Sequence, residues 1–186
     1  MAHTPKETAE EARRRAGDPS TSARELFSLA SHTDAGVRER VAGNPATPEY
    51  VLLLLNQDAD YMVRAALANN HATPAAVLAG LSQDPSFLVR QFAASNPTTT
   101  APVRWMLLND ASAPVRHGAL SRWSDEDLAG LYRQVDAGEH QELSTGALVS
   151  IVMECSLRQI VNLVDVNNAL DPRLRAAVTT IWTDLL

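Results

Sequence analysis

The 186-residue chain has a net charge of −6, and 45% of its residues are hydrophobic, 20% charged and 5% aromatic. This is the length and composition of one globular domain with a substantial core. The single cysteine, Cys155, excludes a disulfide within the chain and a cysteine-rich metal site.

Charge is unevenly distributed along the sequence. Residues 1–123 carry 12 basic and 12 acidic side chains, whereas residues 124–186 carry 4 and 10. Nucleic-acid-binding domains are usually basic, so this balance argues against a nucleic-acid partner. Residues 1–17 lack the apolar segment of a secretory signal, and the longest apolar run, residues 50–55, is too short to span a membrane. We therefore expect a cytoplasmic protein with no membrane partner.

The first predicted element is a helix over residues 4–17. Thr4 would cap it, Pro5 suits its first position, and Glu7 would complete a capping box. Gly17 is a typical residue at a helix end. We assign residues 1–17 to this N-terminal helix.

A Val-Arg dipeptide then recurs every 26 residues, a spacing typical of helical repeat proteins. Its copies are Val37-Arg38, Val63-Arg64, Val89-Arg90 and Val115-Arg116. Four further columns keep the same register: Asp58, Asp84 and Asp110; Asn44, Asn70 and Asn96; Thr47, Thr73 and Thr99; Leu55, Leu81 and Leu107. The periodicity predicts repeats over residues 18–123.

Each repeat contains two helical segments. We expect the threonine column to cap the first segment, with Pro48 and Pro74 at its first position. The second segment has N-cap residues in one column: Asp34, Asp60, Ser86 and Ser112. It ends at the asparagine column, a residue type that tolerates the left-handed conformation.

The apolar positions of these segments recur with helical spacing, and no period-2 alternation indicates a strand. The predicted core positions are Val51, Leu52, Leu55, Val77, Leu78 and Leu81 in the first segments, and Val37, Val41, Val63, Leu67, Val89, Ala93, Val115 and Ala119 in the second.

Residues 124–186 depart from the repeat and are predicted to form an acidic helical cap of the same domain. Ser124 would cap a helix that runs to about residue 134, and further helices are expected over 145–155, 157–166 and 171–185. A terminal repeat must present a polar outer face, which suits this acidic segment.

The repeated phrase, for example Asp84-Pro85-Ser86-Phe87-Leu88-Val89-Arg90 followed by Asn96-Pro97, resembles the leucine-rich repeat variant family. The resemblance covers about residues 18–123. It implies an all-α, right-handed solenoid that alternates α-helices with short 3₁₀ or α-helices and serves as an interaction module. One type in that family carries an iron–sulfur cluster on N-terminal cysteines, which Cys155 does not match, so we expect no cofactor. HEAT-type repeats are the nearest alternative.

No catalytic motif is present, and the five histidines are scattered. We therefore expect neither an enzyme nor a metal site.

The arginine column, Arg38, Arg64, Arg90 and Arg116, has two interpretations. The arginines could bind an acidic peptide or a phosphate along one face. Alternatively, each could pair with Asp58, Asp84 or Asp110, or with carbonyl groups at a helix end. The aspartates recur in the same register, so we favour the structural role.

Columns that vary between repeats are better candidates for recognition. Tyr61 and Phe87 lie two residues before the core valine, about 160° around the helix from it, and are flanked by Arg64 and Arg90. Such a group could be an interaction hot spot, or the rings could pack under the preceding loop. Variable positions on the first segments add three candidates: Tyr50, Arg104 and Trp105.

The leading hypothesis is a non-enzymatic module that binds a protein or peptide, within a bacterial multi-protein assembly. One alternative is a HEAT-like protein of nucleic-acid binding or repair, in which Trp105 and Asp110 act on a base. Another is a regulatory or antitoxin-like subunit whose acidic C-terminal part masks a basic surface.

Overall fold

The structure, a computed structural model, describes residues 8–158 and 171–184. Over these ranges the structure contains helices and no strands, which confirms the predicted all-α class.

The chain divides into two compact units, unit 1 (Met1–Thr100) and unit 2 (Ala101–Leu186), and the division falls inside the predicted repeat region. Unit 1 contains α1 Ala9–Gly17, α2 Ala23–Leu29, α3 Ala35–Gly43, α4 Glu49–Leu55, α5 Tyr61–Asn69, α6 Ala75–Leu81 and α7 Phe87–Ser95. Unit 2 contains α8 Ala101–Leu107, α9 Ala113–Leu120, α10 Asp125–Asp136, α11 Thr145–Leu157 and α12 Pro172–Asp184.

Unit 1 alternates nine-residue and seven-residue helices. Each nine-residue helix packs against the next nine-residue helix: α1 on α3, α3 on α5, and α5 on α7. The shorter helices α2, α4 and α6 each contact the two longer helices that flank them. Helices of this length are unstable alone in water, so packing between neighbours must stabilise them.

The core of unit 1 lies where the sequence pattern predicts it. All twelve predicted positions in this unit are buried: Val37, Val41, Val51, Leu52, Leu55, Val63, Leu67, Val77, Leu78, Leu81, Val89 and Ala93. Ala42, Ala68 and Ala94 are also fully buried. These small side chains occupy successive nine-residue helices, which allows a close approach between their backbones.

The asparagine column ends the nine-residue helices, as predicted, but not in the left-handed conformation. Asn44 follows α3 with φ −74° and ψ 123°, an extended conformation, so the left-handed cap is wrong. Its Nδ2 instead donates to the carbonyl oxygens of Ala16 and Asp18, at 2.8 and 2.9 Å. The same pair of bonds recurs one period later from Asn70 to Ala42 and Asn44, and again from Asn96 to Ala68 and Asn70. One amide thus satisfies carbonyl groups that the preceding nine-residue helix leaves free at its end.

The threonine column also serves helix C-termini. Helix α4 begins at Glu49 with Pro48 at the N-cap, and Thr47 Oγ1 donates to the carbonyl oxygen of Val41 at 2.6 Å. Equivalent bonds join Thr21 to Arg15, Thr73 to Leu67, and Thr99 to Ala93. The predicted threonine N-caps are therefore wrong, because each hydroxyl reaches back to the preceding helix. The second column holds the N-cap position as predicted, at Asp34, Asp60, Ser86 and Ser112. The Asp34 and Asp60 side chains accept a hydrogen bond from their helix backbone, whereas Ser86 and Ser112 make no side-chain cap bond.

Helix α1 begins one turn later than predicted. Its N-cap is Thr8, with extended φ −77° and ψ 151°, and Glu11 completes the capping box. The sequence contains the Thr-x-x-Glu pattern twice, and the second copy is the one that starts this helix. A continuous helix over residues 4–17 is therefore wrong, and its predicted start at Thr4, Pro5 and Glu7 lies outside the described residues.

In unit 2, α8 packs on α9, and α11 packs on α9, α10 and α12. Ser124 caps α10, as predicted. The helix predicted over 157–166 lies outside the described residues, apart from the end of α11. Helix α12 lies within the predicted range of 171–185. Of the described helices, none is both long and apolar enough to cross a membrane.

Candidate protein interface

The arginine column is held by hydrogen bonds within the fold. Arg38 donates from Nε to Asp58 Oδ2 at 2.6 Å and from Nη2 to Asp58 Oδ1 at 2.9 Å. Arg64 contacts Asp84 in the same way, at 2.6 and 3.0 Å. In all four arginines Nη1 donates to the carbonyl oxygen six residues earlier: His32, Asp58, Asp84 and Asp110, at 2.7–2.8 Å. In unit 2, Arg116 Nε donates to Ser150 Oγ at 2.9 Å.

The two carboxylates in these pairs are buried, with 7% of the Asp58 side chain and 5% of the Asp84 side chain exposed. The hydrogen bond from Arg38 lowers the pKa of Asp58, against the effect of burial. Burial raises the pKa of Asp84, but hydrogen bonds from Arg64 and the Ser86 backbone outweigh it and give a net decrease. Since Arg38 and Arg64 already make bidentate contacts, the geometry favours the structural interpretation of the column.

A contiguous group of large apolar side chains lies exposed on α2 and α4. We call Phe27, Tyr50, Leu53 and Leu54 the apolar patch; their exposed fractions are 50%, 51%, 51% and 57%. The rings of Phe27 and Tyr50 are in contact, with centroids 6.0 Å apart. Leu53 and Leu54 follow Tyr50 by three and four residues, which places all three on one side of α4.

The composition of α4 explains this exposure. Five consecutive apolar residues, 51–55, follow Tyr50. Val51, Leu52 and Leu55 fill the core, and the remaining large side chains must face outward. The equivalent outward positions of α6 hold only Ala76, Ala79 and Gly80. A helix with apolar residues on every side is normally buried, so α4 presents a face suited to a partner.

Tyr61 and Phe87, predicted as a hot spot, are the first residues of α5 and α7. Their exposed fractions are 49% and 52%, so about half of each residue is accessible to a partner. No ring contact joins the two among the described residues. They are exposed single residues, and a role in binding stays a prediction.

In unit 2, Trp105 lies beside Trp123 and His140 at a groove that also involves α10. Arg104 stands in the column that holds the fully buried Leu26, Leu52 and Leu78. Its Nη1 is buried and makes no hydrogen bond with any described residue. Burial lowers the pKa of Arg104, and the nearby Arg122 lowers it further.

The predicted site residues are divided between the units. Tyr50, Tyr61, Arg64, Phe87 and Arg90 belong to unit 1, whereas Arg104 and Trp105 belong to unit 2.

The base-binding pair of the repair alternative is not assembled in the groove. Trp105 lines it, but Asp110 does not, and Asp110 Oδ1 accepts a hydrogen bond from the Ser112 backbone at 2.8 Å. Within the described ranges no three His, Cys, Asp or Glu side chains lie close enough to hold a metal ion.

Sequence reasoning missed Phe27, Leu53 and Leu54 of the apolar patch. The uninterrupted apolar run in a seven-residue helix was the available signal, because only one side of such a helix can face the core. It also missed Trp123 and His140, whose approach to Trp105 depends on tertiary packing.

No protein-family model matches this chain, and neither a curated protein nor a solved structure matches it. The resemblance to leucine-rich repeat variants therefore rests on the repeated phrase alone.

Proposed function

We propose that this protein is a non-enzymatic interaction module, in which the apolar patch binds a partner protein through apolar side chains. The observation that carries the proposal is the contiguous exposure of Phe27, Tyr50, Leu53 and Leu54. Burial of apolar surface is worth roughly 25 cal/mol per Å², so covering these four side chains would favour association. Aromatic anchors beside aliphatic side chains are typical of the centre of an interface.

We further propose that unit 1 is a right-handed solenoid of 26-residue, two-helix repeats. Recurrence of the asparagine and threonine bonds at 26-residue intervals supports this. In such a scaffold each repeat contacts its neighbours, and surface positions can vary without loss of the core. The change from Leu53 and Leu54 on α4 to Ala79 and Gly80 on α6 is a variation of this kind.

The proposal can be tested with Leu54→Glu, compared with Gly80→Glu as a matched control. Gly80 occupies the Leu54 position one repeat later, and a Cβ added there meets no atom within 4 Å. Tagged wild-type and variant proteins would be used to capture partners from native cells, with quantitative mass spectrometry. We expect specific partners to fall at least about tenfold with Leu54→Glu, the equivalent of roughly 1.4 kcal/mol, and to persist with Gly80→Glu.

Folding must be monitored in parallel. The Leu54 side chain is mostly exposed, so Leu54→Glu should change the free energy of unfolding by no more than about 0.5 kcal/mol. Sedimentation would show whether the partner is a second copy of the chain, in which case a wild-type dimer is lost with Leu54→Glu. Identical partners and identical association states for wild type and Leu54→Glu would contradict the proposal.

A further inference from the structure

The groove in unit 2 has an aromatic side formed by three rings. Trp105 and Trp123 have ring centroids 6.2 Å apart and planes tilted by 34°, and both side chains are partly exposed. The His140 ring meets Trp105 edge-on, with centroids 4.8 Å apart. All three rings line the same groove, and the two indole planes are inclined to each other.

The loop that supplies His140 is held in place by polar contacts. His140 has φ 55°, a left-handed conformation that is uncommon outside glycine. Gly138, two residues earlier, has φ 87°. The imidazole contacts Gln134 Oε1 through Nε2 at 3.1 Å and Glu142 Oε1 through Nδ1 at 3.3 Å. These contacts orient the imidazole beside Trp105, which lines the same groove.

One face of α10 also lines the groove. Glu126, Gly130, Arg133 and Gln134 all line the groove and recur with helical spacing. Gly130 provides the space, because a Cβ added there meets no atom within 4 Å.

The groove has more acidic than basic side chains. Two carboxylates, Glu126 and Asp127, line it with one guanidinium, that of Arg133. Asp127 Oδ2 accepts a hydrogen bond from Ser124 Oγ at 2.7 Å. Glu126 is exposed, and no hydrogen bond or ion pair engages its carboxylate within the described part of the chain. An acceptor thus faces the same space as the aromatic surface.

We propose that this groove binds the guanidinium group of an arginine side chain from a partner polypeptide. A planar cation stacks on an indole face through cation–π attraction, and its N–H groups suit a carboxylate such as Glu126. A guanidinium can stack on a single indole face, whereas a quaternary ammonium is bound best by ring faces on several sides, and the third ring here, His140, meets Trp105 edge-on. This site is separate from the apolar patch, because it lies in unit 2 and binds a charged group instead of apolar side chains.

Peptide binding to the full chain tests the proposal directly. The probe is acetyl-Gly-Gly-Arg-Gly-Gly-amide, and the reference is the same peptide with citrulline, which keeps the shape but lacks the charge. Tryptophan fluorescence and calorimetry would follow the titration. We expect the arginine peptide to bind with a Kd of roughly 1 mM and the citrulline peptide to bind at least about tenfold more weakly.

Three variants and one control locate the bound group. Gly130→Leu places a large side chain in the groove, its Cβ meets no atom within 4 Å, and leucine is a better helix former, so it should abolish binding while the protein stays folded. Glu126→Gln should weaken binding about three- to tenfold, whereas Glu139→Gln, an equal change of charge outside the groove, should leave it within about twofold. Arg133→Gln should tighten binding, because it removes the competing positive charge.

Equal binding of the arginine and citrulline peptides would overturn the proposal. Binding that survives Gly130→Leu would also overturn it, because the peptide would then lie elsewhere. If Glu126→Gln and Glu139→Gln weakened binding equally, the change in net charge alone would explain the loss. That result would also exclude a specific site.

Discussion

At the residue scale, the arginine column shows how a repeated charged residue can serve the fold. Arg64 uses Nε and Nη2 for Asp84 and Nη1 for the Asp58 carbonyl, so three nitrogens of one guanidinium bridge two successive loops. Only 15% of its side chain is exposed. A buried ion pair contributes little net stability, but removing one partner leaves the other charge without compensation.

We therefore predict that Arg64→Ala lowers the free energy of unfolding by about 2–4 kcal/mol, because it leaves the buried Asp84 carboxylate without its donors. Arg64→Lys should restore only part of this loss, since lysine cannot reproduce the planar bidentate contact. Chemical denaturation of both variants would provide the measurement.

Arg24→Ala is the matched control for this experiment, because Arg24 is exposed on α2. It should change the free energy of unfolding by no more than about 0.5 kcal/mol. An unchanged free energy of unfolding for Arg64→Ala would instead favour the interpretation that this column binds a ligand.

At the scale of the element, the periodicity of the sequence predicted the core positions and the N-caps of the second segments. It did not predict the hydrogen bonds that join one helix to another. The positions of Val63 and Leu67 follow from the i,i+4 spacing of apolar residues, and Asp60 is an ordinary N-cap. The hydrogen bonds of Asn70 and Thr73 were not predicted, because the carbonyl groups that they bind belong to preceding helices. Local propensity indicates that such residues lie at a helix boundary, but it does not indicate which polar group they satisfy.

The apolar patch illustrates the same limit. A run such as residues 51–55 offers large apolar side chains on both sides of α4, and periodicity alone cannot decide which side packs. Contacts with α3 and α5 decide it and leave Leu53 and Leu54 exposed. The candidate site therefore required the tertiary arrangement, although the core columns did not.

Asn70 provides a prediction for the contact between successive repeats. Its buried Nδ2 donates to two carbonyl oxygens, so Asn70→Ala should cost about 2–4 kcal/mol of unfolding free energy through the unsatisfied acceptors. Asn70→Asp should cost at least as much, because it replaces the donor with an oxygen that faces both carbonyl groups. Urea denaturation would measure both, and a loss below about 0.5 kcal/mol for either variant would show that these bonds do not hold the repeats together.

At the scale of the whole molecule, charge bears on the choice between protein and nucleic-acid partners. Unit 1 carries 9 basic and 11 acidic side chains, and unit 2 carries 7 and 11. Several arginines are already paired: Arg13 with Asp34, Arg15 with Glu25, Arg38 with Asp58, and Arg64 with Asp84. Phosphate contacts need basic side chains that can exchange their present partners for the backbone of the nucleic acid.

We predict that a 20-base-pair DNA duplex binds this chain with a Kd weaker than about 100 μM at 0.15 M salt, since neither unit has a positive net charge. Fluorescence anisotropy of a labelled duplex at several salt concentrations would measure both the affinity and its salt slope. A submicromolar Kd with a steep slope would contradict this prediction and favour the alternative of a nucleic-acid protein. Asp110→Asn would then be the decisive variant, because a carboxylate that acts on a base should be essential for activity but not for duplex affinity.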